Sequence, residues 1–217
     1  MSRKPVLLCL LLVLIFGPGC ARNSELTRIT SPVNDFTDCM AVFPERPWEA
    51  VHRIEAKLGV EGSYSLIGLI KGDPVQRNLH SALLTPEGFV LFEAEQREGR
   101  LSIIRALPPF DSSAFAKGLI ADVELIFLAP RGRPSKSGMG ADGSFVCRWI
   151  EPFGKVKEII RAKGDRWKIS LWNDQGLVIR QVWVRKQPTE ILASQVELRA
   201  SGAKGYRLKM VLLQSSQ

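Results

Sequence analysis

Apolar and polar positions alternate most cleanly in the last third of the chain. Trp167, Ile169 and Leu171 fall on one side of a period of two, with Lys168 and Ser170 between them. Tyr206, Leu208, Met210 and Leu212 repeat the pattern around Arg207 and Lys209. A period of two marks a strand with one apolar and one wet face, as antiparallel sheets carry. Strands are predicted over 156–162, 167–172, 177–184, 190–198 and 206–213. Gly164-Asp165, Asn173-Asp174-Gln175-Gly176 and the stretch Gly202 to Gly205 supply the turns between them.

The first half reads as two kinds of element. Trp48, Val51, Ile54 and Leu58 recur at three- and four-residue steps, with Glu49, Arg53 and Lys57 elsewhere on the wheel. That spacing predicts an amphipathic helix over 47–58, opened by Pro47 in its first turn and ended by Gly59 and Gly62. Four short strands follow, over 64–70, 78–84, 89–94 and 101–107. Links as tight as Thr85-Pro86-Glu87-Gly88 make them an antiparallel meander, since parallel pairing needs long crossovers. After Pro108-Pro109, Asp111 and Ser112 can cap a second helix over 114–128, whose apolar side is Phe115, Leu119, Ile120, Val123 and Ile126. The Gly- and Pro-rich stretch 129–143 is predicted to be a mobile loop, leading into a strand over 144–150. About ten strands in one domain curl or close rather than stay flat. The fold class is therefore mainly β with α (α+β): a curved antiparallel sheet covered by two helices.

The N-terminus changes the picture from a globule to an exported globule. Arg3 and Lys4 precede an unbroken apolar run from Val6 to Phe16, and Gly17-Pro18-Gly19-Cys20 follows. A basic head, a short greasy core and a small-residue exit make a signal peptide over 1–19. The run is about half of the roughly 20 residues that a spanning helix needs. Cys20, preceded by Gly19, resembles the acylated cysteine of bacterial lipoproteins, which becomes the new N-terminus. Residues 20–46, polar and turn-prone, are predicted to be a lipidated flexible tether to a single domain over 47–214. The alternative is ordinary cleavage nearby and a free periplasmic protein.

Charge and chemistry narrow the function further. The formal charge is +8, and loss of Arg3 and Lys4 with the leader lowers it by two. The remaining basic residues are dispersed rather than clustered, and export argues against nucleic acid as a partner. Beyond Cys9 and Cys20, two cysteines remain, Cys39 and Cys147, which an oxidising compartment allows to pair or to stay free. Their spacing is neither a redox CxxC nor a zinc knuckle. Gly138, Gly140 and Gly143 spell GxGxxG, but in a loop leading to a strand rather than between strand and helix, so no nucleotide site is expected. His52 with Glu55 is half of a metal-binding arrangement without a second half. Glu93 and Glu95 share one strand face, beside Arg97 and Arg100, as a solvated hairpin end would. No GxSxG elbow is present. No enzyme activity, cofactor or metal is expected.

The order of leader and cysteine, the stretch PWEAVHRIEAKL, a meander, a greasy helix, a loop and a closing meander resembles the Lol lipoprotein carrier and receptor superfamily. ALLTPEGFVLFEA and GDRWKISLWNDQG carry the likeness over roughly 47–213. The resemblance implies an unclosed antiparallel half-barrel covered by helices. It also implies an outer-membrane location facing the periplasm, because Ala21 rather than an aspartate follows Cys20. A monomer is implied, anchored to the membrane through Cys20, that takes a hydrophobic ligand or another lipoprotein's lipid. Candidate cavity residues are Phe115, Leu119, Ile120 and Val123 as a lid and Trp167, Ile169, Leu171 and Met210 as walls. The competing reading is an assembly lipoprotein with a filled core, acting through protein contacts.

Overall fold

The structure, a computed structural model, describes residues 25–59, 62–202 and 205–217. The leader, Cys20 and residues 21–24 lie outside the described residues. The chain enters with a short strand, β1 (Ile29–Pro32), and a one-turn helix, α1 (Thr37–Met40). Five strands then form a meander: β2 (Trp48–Leu58), β3 (Gly62–Asp73), β4 (Asn78–Leu84), β5 (Val90–Arg97) and β6 (Arg100–Ala106). Helix α2 (Ser113–Phe127) leads to a second meander of β7 (Lys136–Gly140), β8 (Phe145–Ile150), β9 (Val156–Arg161), β10 (Arg166–Trp172), β11 (Val178–Arg185), β12 (Gln195–Ala200) and β13 (Tyr206–Ser216).

One antiparallel sheet of 13 strands holds them, in the order β1-β7-β8-β9-β10-β11-β12-β13-β2-β3-β4-β5-β6. The two meanders are joined by the long β13–β2 ladder, from Tyr206 opposite Leu58 to Ser216 opposite Glu49. The sheet is not closed: β6 ends one side, and β7 with β1 ends the other. A chain leaving β6 for β7 must cross the full width of this open sheet, and it does so as α2. The mainly-β half-barrel with a helical cover is therefore the observed fold class. The hydroxyl of Ser112 caps α2 by accepting the Phe115 N–H at 3.1 Å. Arg77 holds the exit by donating to the Ala129 carbonyl at 2.8 Å.

Three predicted elements are corrected. Residues 48–58 are a strand, not a helix. Trp48, Ala50, His52, Ile54 and Ala56 are buried on its inner face, and Glu49, Arg53, Glu55 and Lys57 are exposed on the other. The opposite strand makes room for the large inward side chains. A Cβ on Gly72, the ladder partner of Trp48, would lie 2.6 Å from the indole ring. The supposed loop 129–143 contains β7, whose Gly138 approaches β1 so closely that a Cβ would sit 2.3 Å from the Ser31 carbonyl.

The third correction concerns the tether, of which residues 25–46 are part of the domain. Besides the β1–β7 pairing, Cys39 of α1 is disulfide-bonded to Cys147 of β8. The Trp167 indole donates to the Asp38 carbonyl at 3.1 Å, and the Lys186 ammonium to the Ala41 carbonyl at 2.6 Å. Glu158, 1% exposed, takes an ion pair from Arg148 at 2.5 Å and accepts the Thr27 backbone N–H at 3.2 Å. Burying that carboxylate is tolerated only because its oxygens are occupied in this way.

His52 is the odd residue of the inner face. Its ring is fully buried against Phe127 of α2, centroids 5.6 Å apart, and neither ring nitrogen has a hydrogen-bond partner. Burial holds its pKa down at about 4, against 6.5 for a free imidazole. Below pH 6.5 the unfolded chain takes up a proton that the folded chain refuses until about pH 4. Stability from this group is thus full above pH 6.5 and is lost as the pH falls from 6.5 towards 4. At roughly 1.36 kcal/mol per pH unit, the loss approaches about 3 kcal/mol. Urea unfolding at pH 7.5 and 4.5 is expected to show a steeper decline for the parent than for His52→Leu. Parallel declines would contradict this role.

Candidate functional site

Between α2 and the concave face lies a cavity of 380 Å³. Its walls come from β11, β12, β13, β2, β3 and β4, which are consecutive neighbours in the sheet. At about 4.8 Å per strand, five inter-strand steps extend roughly 24 Å along the curve. The space is therefore long and runs across the strands. The lid contributes Phe115, Leu119, Val123 and Ile126; the floor contributes Ile54, Leu66, Ile70, Leu83, Leu208 and Met210. Large inward side chains elsewhere fill the sheet's concavity, such as Trp48 against Phe127 at 4.8 Å. Here the inward positions include Ala56, Gly68 and Ala200, and the smaller side chains leave room.

The candidate residues divide accordingly. Phe115, Leu119, Val123 and Met210 line the cavity, and Ile120 is buried on α2 without lining it. Trp167, Ile169 and Leu171 do not line it. Trp167 supports α1 through its indole, and Ile169 is fully buried in the ladder between Ile159 and Val182. Leu171 keeps the same face, opposite Arg180, and is half-buried.

Three polar groups at the cavity were not singled out from the sequence. Asp122, 4% exposed on the inner side of α2, accepts the Arg180 Nε–H at 2.8 Å and the Tyr206 hydroxyl. The guanidinium also lies over the Tyr206 ring, 5.3 Å from its centroid. Burial pushes the Asp122 carboxyl above its ordinary value, while the Arg180 charge and the Tyr206 hydroxyl pull it back. Burial also raises the Tyr206 phenol, and the Asp122 charge adds to it. For Arg180 burial works against the charge, yet Asp122 outweighs it and the net direction is upward. The cluster ties the lid to β11 and β13. Arg180→Met leaves Asp122 buried beside one hydroxyl and is expected to cost about 3 kcal/mol. Hydrogen exchange of α2 amides is expected to quicken more than that of β10; equal changes would show no special tie to the lid. The fourth polar feature is Ser81, whose hydroxyl is 2% exposed at the cavity wall and has no hydrogen-bond partner.

The other sequence candidates are dispersed. His80 Nε2 lies 3.0 Å from Glu93 and Arg97 pairs with Glu95 at 2.9 Å, so each carboxylate has its own partner instead of sharing a proton with the other. His80, Glu95 and Arg97 border a second depression of 330 Å³, with Glu49 and Lys71 paired at 2.8 Å across it. Among the described residues, no group of three or more His, Cys, Asp or Glu side chains converges to hold a metal ion.

No protein-family model matches the chain, and no curated protein does. Among solved structures, the fold is similar to that of a LolA superfamily protein from Nitrosomonas europaea. The TM-score is 0.53 at 10% sequence identity, over 82% of this chain and 89% of the other. The shared property is the fold.

Proposed function

We propose that the chain is an envelope lipoprotein that binds an acyl chain, either of a free lipid or of another lipoprotein, under α2. The observation that carries this reading is the 380 Å³ apolar cavity between lid and sheet. Apolar concave sites with few polar groups are the usual homes of small hydrophobic ligands, and each methylene buried contributes about 0.8 kcal/mol. At about 30 Å³ per water-sized group, the cavity accommodates on the order of a dozen methylenes. Its elongated course suits a chain better than a compact ring. Ser81 offers a hydroxyl to an ester, amide or carboxyl group on that chain. The cavity also favours a binder over an assembly protein with a filled core. Titration of the mature protein with a fluorescent fatty acid is expected to saturate at one site per chain, displaced by palmitate. Absence of saturable binding would contradict the reading.

Anchoring through Cys20 at the outer membrane belongs to the same proposal and rests on the leader, on Gly19-Cys20 and on Ala21. Intact-mass measurement of the membrane fraction is expected to show a chain starting at Cys20 and bearing acyl chains. An unmodified mature mass would refute the anchor while leaving the cavity reading standing.

A further inference from the structure

Among the described residues, Trp48, His52, Ser81 and Ser170 are buried with side-chain polar atoms that have no hydrogen-bond partner. Trp48 and His52 rest their rings on Phe127, and neither lines the cavity under α2. Ser170 of β10 does not line it either. Ser81 does. Its direction follows from the ladder. Ser81 lies opposite Ile70 of β3 and Ala94 of β5, and Ile70 lies opposite Ala50 on the inner face of β2. Cross-strand partners share a face, so the hydroxyl is on the concave side, where Ser81 is 2% exposed. A hydroxyl buried in this way has given up water and gained no bond in return. Alanine would occupy the same place without that cost.

The course of the cavity decides what kind of oxygen Ser81 can meet. The other polar side chains border its opposite end, where Leu58 closes β2. Leu58 is opposite Tyr206, Tyr206 opposite Ala200, and Ala200 opposite Arg180. Ser81 is level with Ala50 instead, far back along β2 from Leu58. At the Leu58 end the Arg180 side chain is 24% exposed and Ser201 is exposed, so a charged headgroup there keeps both water and a cation. At Ser81 a carboxylate would lose its water for a single hydroxyl, a poor exchange for an ion. The headgroup therefore belongs at the Arg180 end and the chain runs inward. An oxygen that reaches Ser81 is borne by the chain itself.

We propose that the cavity selects a hydroxyacyl chain, oxygenated far from its headgroup, whose hydroxyl bonds to Ser81. This inference rests on the acyl-binding reading and narrows its ligand class. Two hydroxyls suit each other because either can donate and either can accept. A plain chain leaves Ser81 unpaired, and a hydroxylated chain among apolar walls alone would leave its own hydroxyl unpaired. Only the matched pair restores a bond on both sides, and sites built around such a bond discriminate against analogues lacking the oxygen.

The test uses the chain lacking residues 1–20 and a bound fluorescent fatty acid, displaced in turn by stearate and by 3-, 10- and 12-hydroxystearate. The better of the 10- and 12-hydroxy isomers is expected to bind at least about tenfold more tightly than stearate. The 3-hydroxy isomer, whose hydroxyl stays beside the headgroup, is expected to fall within about twofold of stearate. In Ser81→Ala the ratio of the preferred isomer to stearate is expected to drop to about one or below, since the chain hydroxyl then has no partner. The same variant is expected to melt at or above the parent temperature, which separates a lost bond from a lost fold. Stearate binding as tightly as every hydroxylated isomer overturns the proposal and leaves the acyl reading standing. A preference for the 3-hydroxy isomer, or one that survives in Ser81→Ala, overturns it too, because the oxygen is then met elsewhere. Failure of stearate and all three isomers to displace the probe would strike the acyl reading itself, and this inference with it.

Discussion

Val123→Phe is expected to lower fatty-acid affinity at least 100-fold, or roughly 2.7 kcal/mol, while leaving the protein folded. Val123 is buried on the lid side of the cavity, opposite the floor of β2 and β3. A phenyl ring there occupies the volume that a chain would use, and filling an existing cavity does not create the strain that overpacking a tight core does. Thermal unfolding should therefore change little or rise. Ile103→Phe, on the exposed β6 edge and away from the cavity, serves as the control and is expected to bind as the parent does. Equal affinity in Val123→Phe and the parent would mean that the ligand sits elsewhere.

Removing the Cys39–Cys147 bond is expected to cost about 4 kcal/mol, within the 2–5 kcal/mol typical of such losses. The bond closes a loop with a sequence separation of 108, which includes the whole first meander and α2. Opening it enlarges the unfolded ensemble and also frees α1 from β8. The bonds from Trp167 to Asp38 and from Lys186 to Ala41, the Arg161–Asp38 ion pair and the β1–β7 ladder then hold the arm without a covalent link. Urea unfolding of Cys39→Ala, Cys147→Ala and the double variant is expected to give the same reduced stability, and reductant should bring the parent close to it. Insensitivity of the parent to reductant would show that the bond contributes little.

Which parts of this fold could be read from the chain follows from where the apolar residues sit. The closing meander was legible because Trp167, Ile169, Tyr206, Leu208 and Met210 alternate with charges. β2 was not, because its inner face contains Ala50, His52 and Ala56, which are small or polar. Trp48, Val51, Ile54 and Leu58 then mimic a helical stripe. The signal was on the outer face: Glu49, Arg53, Glu55 and Lys57 all fall at odd positions. β1 and β7 carry little apolar pattern because they form the end of the sheet, held by the ladder and by the neighbouring disulfide.

The lid of the site was legible for a related reason: α2 is amphipathic and has few charges to place outside. Its opposing wall was not. Trp167, Ile169 and Leu171 show the cleanest alternation, yet the sheet order sets β13 beside β2 and brings Ile54, Leu66 and Ile70 under the lid instead. That ladder joins residues more than 140 positions apart, and no local pattern encodes it. The Asp122–Arg180–Tyr206 cluster is hidden by the same non-local topology. Asp122, one of three charged residues in a largely apolar helix with Lys117 and Glu124, was its one visible trace.

The central claim, that the space under α2 holds an acyl chain, is tested most directly by native mass spectrometry of the chain lacking residues 1–20, purified from cells without detergent. A population carrying one added lipid mass, released on denaturation and absent from Val123→Phe, is the predicted result. A single apo mass for the parent, unchanged after incubation with palmitate, would contradict the account.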